Sequence, residues 1–438
     1  MIKAALYLGL TAVGIVWTFI NPFIGVIVCI EAYLMNPTAV SMNDGGFRYQ
    51  FWTSIAFIIS FLIYRPQPLP RAGRENWVLK CLWAYVAIGA LSALWATVSS
   101  DIALTAIYEV VKTVFILTLF VRVIRNEKQM TMVMIACIVG ALHASFLHIF
   151  GTRWGYVDAA LGREYGVLAD SQTGVLVLFV PLIILLAMFG SRKERILCWC
   201  ALPLVLDSIV ETYERTGFTA LIVEFVLVFL LVPRRQKRQL MPAMVAGLAL
   251  LLFRFTPDDY WEKMATIMNP HEEASAESRF VINDASRRMF LDHPMGVGYR
   301  NYPYASPRYL EGGYLTRAAD GELVRSAHNS YYTVLCETGV IGFALWMAVF
   351  AGTIFMLRGI RKRAGPKMGR LEVYAAGLEI GLYGWAIGGW FQSYHEVDPA
   401  YWFVGFAVVL LRLQHQRREV ESADEDDGLE VHVPSLAG

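Results

Sequence analysis

His328, Arg215 and Arg279 are the residues whose types and settings could do chemistry. His328 stands in SAHNSY (326–331), directly before a long apolar run. Asn329 and Ser330 suit the N-cap of a helix beginning near Tyr331, but capping does not require a histidine at 328. The positive end of that helix, with arginines nearby, disfavours an imidazolium. A neutral imidazole at working pH is what a general base needs. The competing reading is a histidine that only packs at the interface. Arg215 lies in YERTG (213–217), a tight turn between two apolar runs. A cation there is costly without a partner or a task. Glu214 is its structural partner in one reading. In the other, Arg215 binds an anionic substrate at the membrane surface.

Arg279 opens SRFVINDASRRMFLDHPMGVGYRNY (278–302). The part from about Ser278 to His293 reads as an amphipathic helix, with Val281, Ala285 and Met289 in one apolar stripe. Ser278 is its expected N-cap, and Pro294, Gly296 and Gly298 form turns after it. A cation at a helix start opposes the dipole, which favours a ligand contact for Arg279. Arg287 and Arg288 divide evenly between a solvated face and the site. His395 and Glu396 in SYHEVD (393–398) could line it. His143 and His148, spaced i, i+5 within one apolar run, share no face well. His271 with Glu272 and Glu273 looks like an ordinary polar loop. No HExxH or paired acidic motif accompanies these residues, so a metal-free, cofactor-free reaction is expected. The six cysteines lie in or beside apolar runs and read as small core residues; that includes the Cys198-Trp-Cys200 pair, which nothing completes as a metal or redox motif.

The elements that position these residues must cross a bilayer. The chain has 438 residues, 56% of them hydrophobic and only 17% charged, with mean hydropathy +0.46. Soluble domains are about a quarter charged. Net charge is +1, without the basic surplus of a nucleic-acid binder. Apolar runs near the spanning length of about 17–25 residues fall at roughly 50–64, 77–97, 103–121, 129–150, 172–189, 196–210, 217–233, 239–255, 331–356, 371–391 and 400–413. Residues 4–35 read as an uncleaved anchor of one broken span or two, interrupted at Asn21-Pro22, and count as one if the N-terminus is inside. The expectation is an all-α polytopic protein of about 12 transmembrane helices.

Basic clusters alternate along the chain: Arg65, Arg71 and Arg74; Arg122, Arg125 and Lys128; Arg192, Lys193 and Arg195; RRQKR (234–238); RGIRKR (358–363). The positive-inside rule makes these cytoplasmic. The other side holds 151–171, 211–216, a large loop at 256–330 and 392–399, and there the arginines are unexpectedly many, Arg300 and Arg325 among them. The organisation is 1–255 transmembrane helices, 256–330 large external loop, 331–413 C-terminal transmembrane helices and 414–438 cytoplasmic tail. That tail ends in the acidic SADEDDGLEVHVPSLAG, read as disordered. No internal repeat of the inverted transporter kind is visible.

Three pieces in order resemble the bacterial O-antigen ligase and polymerase superfamily. They are RTG (215–217), SR (278–279) leading to MFLDHPMGVGYRNY (289–302), and AHNSY (327–331) with ETGVIG (337–342). The resemblance spans about residues 210–345; the N-terminal half shares only hydropathy. It implies a GT-C-like lipid-linked glycan transferase of the bacterial inner membrane, with its site facing the periplasm. The implied donor is a glycan on undecaprenyl diphosphate, and the implied acceptor a sugar hydroxyl of lipid A-core. By this analogy Arg215 and Arg279 bind the diphosphate and His328 deprotonates the acceptor, with Asn329, Arg287, Arg288, Glu214 and His395 as further candidates. The sequence departs from many relatives in YERTG, where a serine- or threonine-rich turn is common. A single late loop without an appended soluble domain favours a ligase over a polymerase or a protein O-oligosaccharyltransferase. A transporter or flippase for an anionic lipid is the reading from another class; it would use the arginines but not His328.

Overall fold

Asn21 and Pro22 turn the chain back on itself. The computed structural model describes residues 2–35, 48–66, 76–153, 172–212, 214–233, 237, 274–318, 321–363 and 368–429. Helix α1 (Ile2–Ile20) and α2 (Pro22–Leu34) pack as a hairpin, with Gly14 against Val28 and Gly25 against Thr18. The turn has a local cause: the Asn21 side chain accepts from Phe23 N at 3.0 Å, and Pro22 occupies the first helical position. Of the two readings of residues 4–35, one broken span or two, the described residues show two antiparallel helices. Helix α3 (Tyr49–Tyr64) ends against that turn, where Tyr64 Oη donates to Ile20 O at 2.6 Å. Tyr7, near the other end of α1, meets His143 Nε2 at 2.7 Å. The start of α1 thus lies toward the end of the bundle opposite the basic connection after α3.

The remaining long helices are α4 (Trp77–Leu91), α5 (Ser100–Val123), α6 (Glu127–Arg153), α7 (Gln172–Phe189), α8 (Arg192–Glu211), α9 (Arg215–Leu231), α10 (Ala274–Asp292), α11 (Ser330–Lys362), α12 (Arg370–Gly388) and α13 (Asp398–Leu429). Among the described residues, four apolar stretches, Trp77–Trp95, Ser100–Val123, Glu127–Ile149 and Ser330–Lys362, are long enough to cross a membrane. Shorter apolar helices, α1, α2, α3 and α7 among them, accompany these. Large apolar side chains such as Leu10, Trp17, Leu62 and Phe355 stay exposed on the flanks. A water-facing surface would hide so many together; a lipid-facing one need not, and the chain is a multi-pass membrane protein. The expected run 239–255 and the loop 154–171 lie outside the described residues.

Charge pairs tie the basic end together. Arg370 meets Glu194 at 2.8 Å, and Arg361 meets buried Glu379 at 2.5 Å. Buried Arg412 donates to the carbonyls of Val121 and Ile124, which capture the otherwise open end of α5. The core runs between these ends through α7, α12 and α13, with α8 and α9 packed outside. Helix α13 continues to Leu429, so the expected disordered tail begins as helix. The small ribbon of β1 (Thr316–Arg317) and β2 (Leu323–Val324) pairs antiparallel within the large loop, a departure from purely helical structure.

Candidate functional site

The opposite end is organised around a break in α11. Gly339 sits at φ +66°, ψ −172° inside that helix. The break exposes backbone groups that an intact helix would use internally. The 294–298 segment takes them up: Val297 N donates to Cys336 O at 2.7 Å, Gly298 N to Glu337 O at 3.1 Å, and Val340 N to Pro294 O at 3.2 Å. Gly296, at φ +92°, passes so close that a β-carbon would meet Glu337 O at 2.4 Å. The other side of the segment is held by the α4–α5 connection. Thr97 N donates to Val297 O at 2.9 Å, and Asn301 accepts from Ser99 N at 2.8 Å while donating to Ser99 O and Tyr299 O. The glycines of HPMGVG and ETGVIG thus form one joint. Gly342 sits against Ile88 of α4, whereas Gly339 interrupts the helix.

This joint fixes the first part of α11, and His328 stands at its mouth. Asn329 is the N-cap, its side chain accepting from Tyr331 N at 3.0 Å and Tyr332 N at 3.1 Å. His328 itself adopts φ +48°, a left-handed conformation costly for a residue with a β-carbon. Its Nδ1 lies 3.2 Å from Gln392 Oε1. Ser330 secures the same partner segment, donating to Gln392 O at 2.8 Å and accepting from His395 N at 3.1 Å. Sequence reasoning missed Gln392 because a glutamine in a short loop carries no spacing signal; its position follows from the α12–α13 connection folding over the α11 N-terminus.

The 392–396 segment links three neighbourhoods. Gln392 touches His328. Buried Tyr394 lies beside Glu214 and packs on Gly174 and Gly388. Glu396 pairs with Arg300, which also takes a left-handed φ of +58°. His395 is buried, and burial, against the pull of Glu396, pushes it down to about 4. It is therefore a neutral ring.

The other candidates divide. Arg215 is the first residue of α9, with Glu214 at the N-cap position, both half-buried. Arg279 is half-buried on α10. That helix starts at Ala274, four residues before its expected start, so Ser278 lies inside it and is not the N-cap. The dipole argument for Arg279 weakens accordingly. The buried stripe is Ile282, Ala285, Ser286 and Met289; Val281 lies at its edge. Arg287 and Arg288 are exposed and pair with Asp284 at 3.2 and 3.1 Å, the solvated-face arrangement. Cys198 and Cys200 are unbridged, and Cys200 is exposed, not a core residue. Among the described residues no group of three or more His, Cys, Asp or Glu could hold a metal ion. His271, Glu272 and Glu273 lie outside them.

Fold and site together define a helical membrane protein with strained polar residues gathered at the end away from its basic connections. Residues 200–347 match the family model described as O-antigen ligase, a match that takes in Arg215, Arg279 and His328 and supports a protein of O-antigen ligase/polymerase type. In general terms the match supports a glycosyl-transfer enzyme, of a family that implies lipid-linked glycan substrates. No curated protein matches the chain.

Proposed function

We propose that the protein is an O-antigen ligase of the bacterial inner membrane. It transfers a polysaccharide from undecaprenyl diphosphate to a sugar hydroxyl of lipid A-core on the periplasmic face. The observation that carries this reading is His328, held in a left-handed backbone and fixed by Gln392 within the family-matched segment. Strain of this kind persists where surrounding structure enforces a function. The acceptor hydroxyl gives its proton to His328 as its oxygen attacks the anomeric carbon. The bond from that carbon to the phosphate oxygen breaks, and the diphosphate leaves with the electron pair on its lipid. Arg215 and Arg279 bind the diphosphate and offset its developing charge, as bidentate guanidinium groups do well. Arginines in this role make a divalent cation dispensable, and in-line attack inverts the anomeric centre.

The test is an in vitro transfer assay with undecaprenyl-diphosphate glycan and lipid A-core, with and without a chelator. His328→Ala abolishes transfer while donor binding persists. A variant that still ligates normally removes the base assignment, and chelator-sensitive activity removes the metal-free one. Lengthened donor in place of modified lipid A-core assigns the chain as a polymerase. Transport that survives His328→Ala, with no transfer, points to a flippase.

A further inference from the structure

A cavity of about 710 Å³ lies between α2, α3, α5 and the start of α13, apart from His328, Arg215 and Arg279. Two of its walls, α3 and α5, run side by side and both end toward the basic connections. Phe57 of α3 and Phe120 of α5 meet ring to ring at 5.5 Å. Eight residues back along each helix, a rise of about 12 Å, stand Tyr49 and Lys112, with Arg48 and Glu109 beside them in sequence. Charged groups therefore form a belt at one level of the cavity, and Ile55, Ile58 and Phe120 line the part below it. Phe51, Tyr108 and Phe115 on the rim remain exposed, so the cavity opens on the lipid-facing flank. Ionisable side chains within a membrane span are costly without a task. A charged belt above an apolar cleft suits a lipid headgroup and its chain.

The balance of the belt says which headgroup. Arg300 is matched by Glu396. Lys112 holds Glu109 at 2.5 Å, yet Asp398 lies close to both, so one ammonium serves two carboxylates. Among the described residues the Asp398 carboxylate takes one hydrogen bond, from Thr113 at 3.5 Å, which is long for a hydroxyl donor. Arg48 is unmatched in the opposite sense. The contact its guanidinium makes among the described residues is the Phe51 ring at 5.5 Å. The cavity thus offers a carboxylate short of a cation and a cation short of an anion. A lone phosphate satisfies only Arg48, and a sugar neutralises neither; a zwitterion satisfies both. His395 adds an independent sign. It is 3% exposed, lines the same cavity, and neither ring nitrogen has a hydrogen-bond partner. Buried polar atoms left open in this way are unfavourable unless a ligand completes them.

We infer that this cavity binds a phospholipid with a phosphoethanolamine headgroup, its primary ammonium on Asp398, its phosphate on Arg48 and an acyl chain in the cleft between α3 and α5. This lipid is a resident of the fold and not a substrate, and its binding does not rest on the transfer reading. The test is native mass spectrometry of the full chain, delipidated in detergent and titrated with dioleoylphosphatidylethanolamine. The comparators are dioleoylphosphatidylcholine, whose quaternary ammonium has no N–H to donate, and dioleoylphosphatidylglycerol, which has the phosphate but no ammonium. The ethanolamine lipid binds at least about tenfold more tightly than either. Asp398→Asn, which keeps a residue able to cap α13, weakens it by about tenfold and leaves the glycerol lipid unchanged. Arg48→Gln weakens both phospholipids alike. Val110→Trp fills the cleft and weakens all three, whereas His328→Ala and Arg215→Lys bind as wild type. Equal affinity for the three lipids, or tighter binding of the glycerol lipid, overturns the proposal. So does undiminished binding of the ethanolamine lipid in Asp398→Asn or in monodisperse Val110→Trp. Loss of that binding in His328→Ala or Arg215→Lys moves the lipid to the transfer site and also overturns it.

Discussion

His328 Nδ1 faces Gln392 Oε1 at 3.2 Å, and this contact favours one tautomer of the ring. An amide oxygen accepts, so Nδ1 carries the proton and the lone pair lies on Nε2. The left-handed backbone at 328 and the two bonds of Ser330 hold both partners in place. Gln392→Ala lowers kcat for glycan transfer by about tenfold or more, with little change in donor KM. Gln392→Glu places a carboxylate at Nδ1 and stabilises the imidazolium. The base is then lost to protonation at higher pH, so the acidic limb of the pH–rate profile moves up by about one unit. A pH series on the two variants checks both statements; an unmoved limb in Gln392→Glu dissociates Gln392 from the base.

The joint between HPMGVG and ETGVIG makes a stability prediction. Gly296→Ala or Gly339→Ala places a β-carbon within 2.4–2.5 Å of opposing backbone, at a φ that alanine also disfavours. Backbone cannot withdraw as a side chain can, so each substitution costs roughly 2–4 kcal/mol. Thermal melting of purified protein in detergent reads the loss. Gly312→Ala, in open space and without a left-handed φ, serves as the control and leaves the midpoint unchanged.

Much of this architecture is legible in the residues themselves. Apolar length gives the long helices, and Asn329 announces the α11 cap it forms. The break at Gly339 is not legible, because a glycine between apolar residues reads equally as close helix packing. Its meaning depends on a segment forty residues away in the chain supplying the missing hydrogen bonds. The hairpin at Asn21-Pro22 is ambiguous for a related reason: an N-cap followed by proline restarts a helix without saying in which direction. Arg287 and Arg288 look like site residues by type alone, and only Asp284 beside them shows their solvated role. Gln392, and the pairing of Arg300 with Glu396, are invisible until the α12–α13 connection folds over the α11 N-terminus.

Arg215 and Arg279 are expected to respond alike to loss of the guanidinium fork. Arg215→Lys and Arg279→Lys keep the charge but lose bidentate geometry, which is not a conservative change at a diphosphate. Each lowers kcat/KM by about a hundredfold, corresponding to roughly 2–3 kcal/mol of transition-state stabilisation. Steady-state transfer assays measure this. Arg287→Lys and Arg288→Lys, on the exposed face with Asp284, stay near wild type. A reversal of that order moves the diphosphate site onto the outer face of α10.

His395 gives the pH dependence of folding. Burial pushes it down to about 4, whereas an exposed histidine titrates near 6.5. Between those values the unfolded chain binds a proton that the folded protein refuses. Stability is therefore full above about pH 6.5 and declines as pH falls toward about 4, by up to roughly 3 kcal/mol from this group alone. His395→Asn removes the titrating ring. Its melting midpoint is lower than wild type at pH 7.5, because the ring's packing against the 392–396 segment is lost, but the part of the acid slope that belongs to this residue disappears. Melting curves of both proteins from pH 8 to pH 4 decide it: parallel slopes place the acid sensitivity on other groups, and a flatter slope in His395→Asn assigns it here.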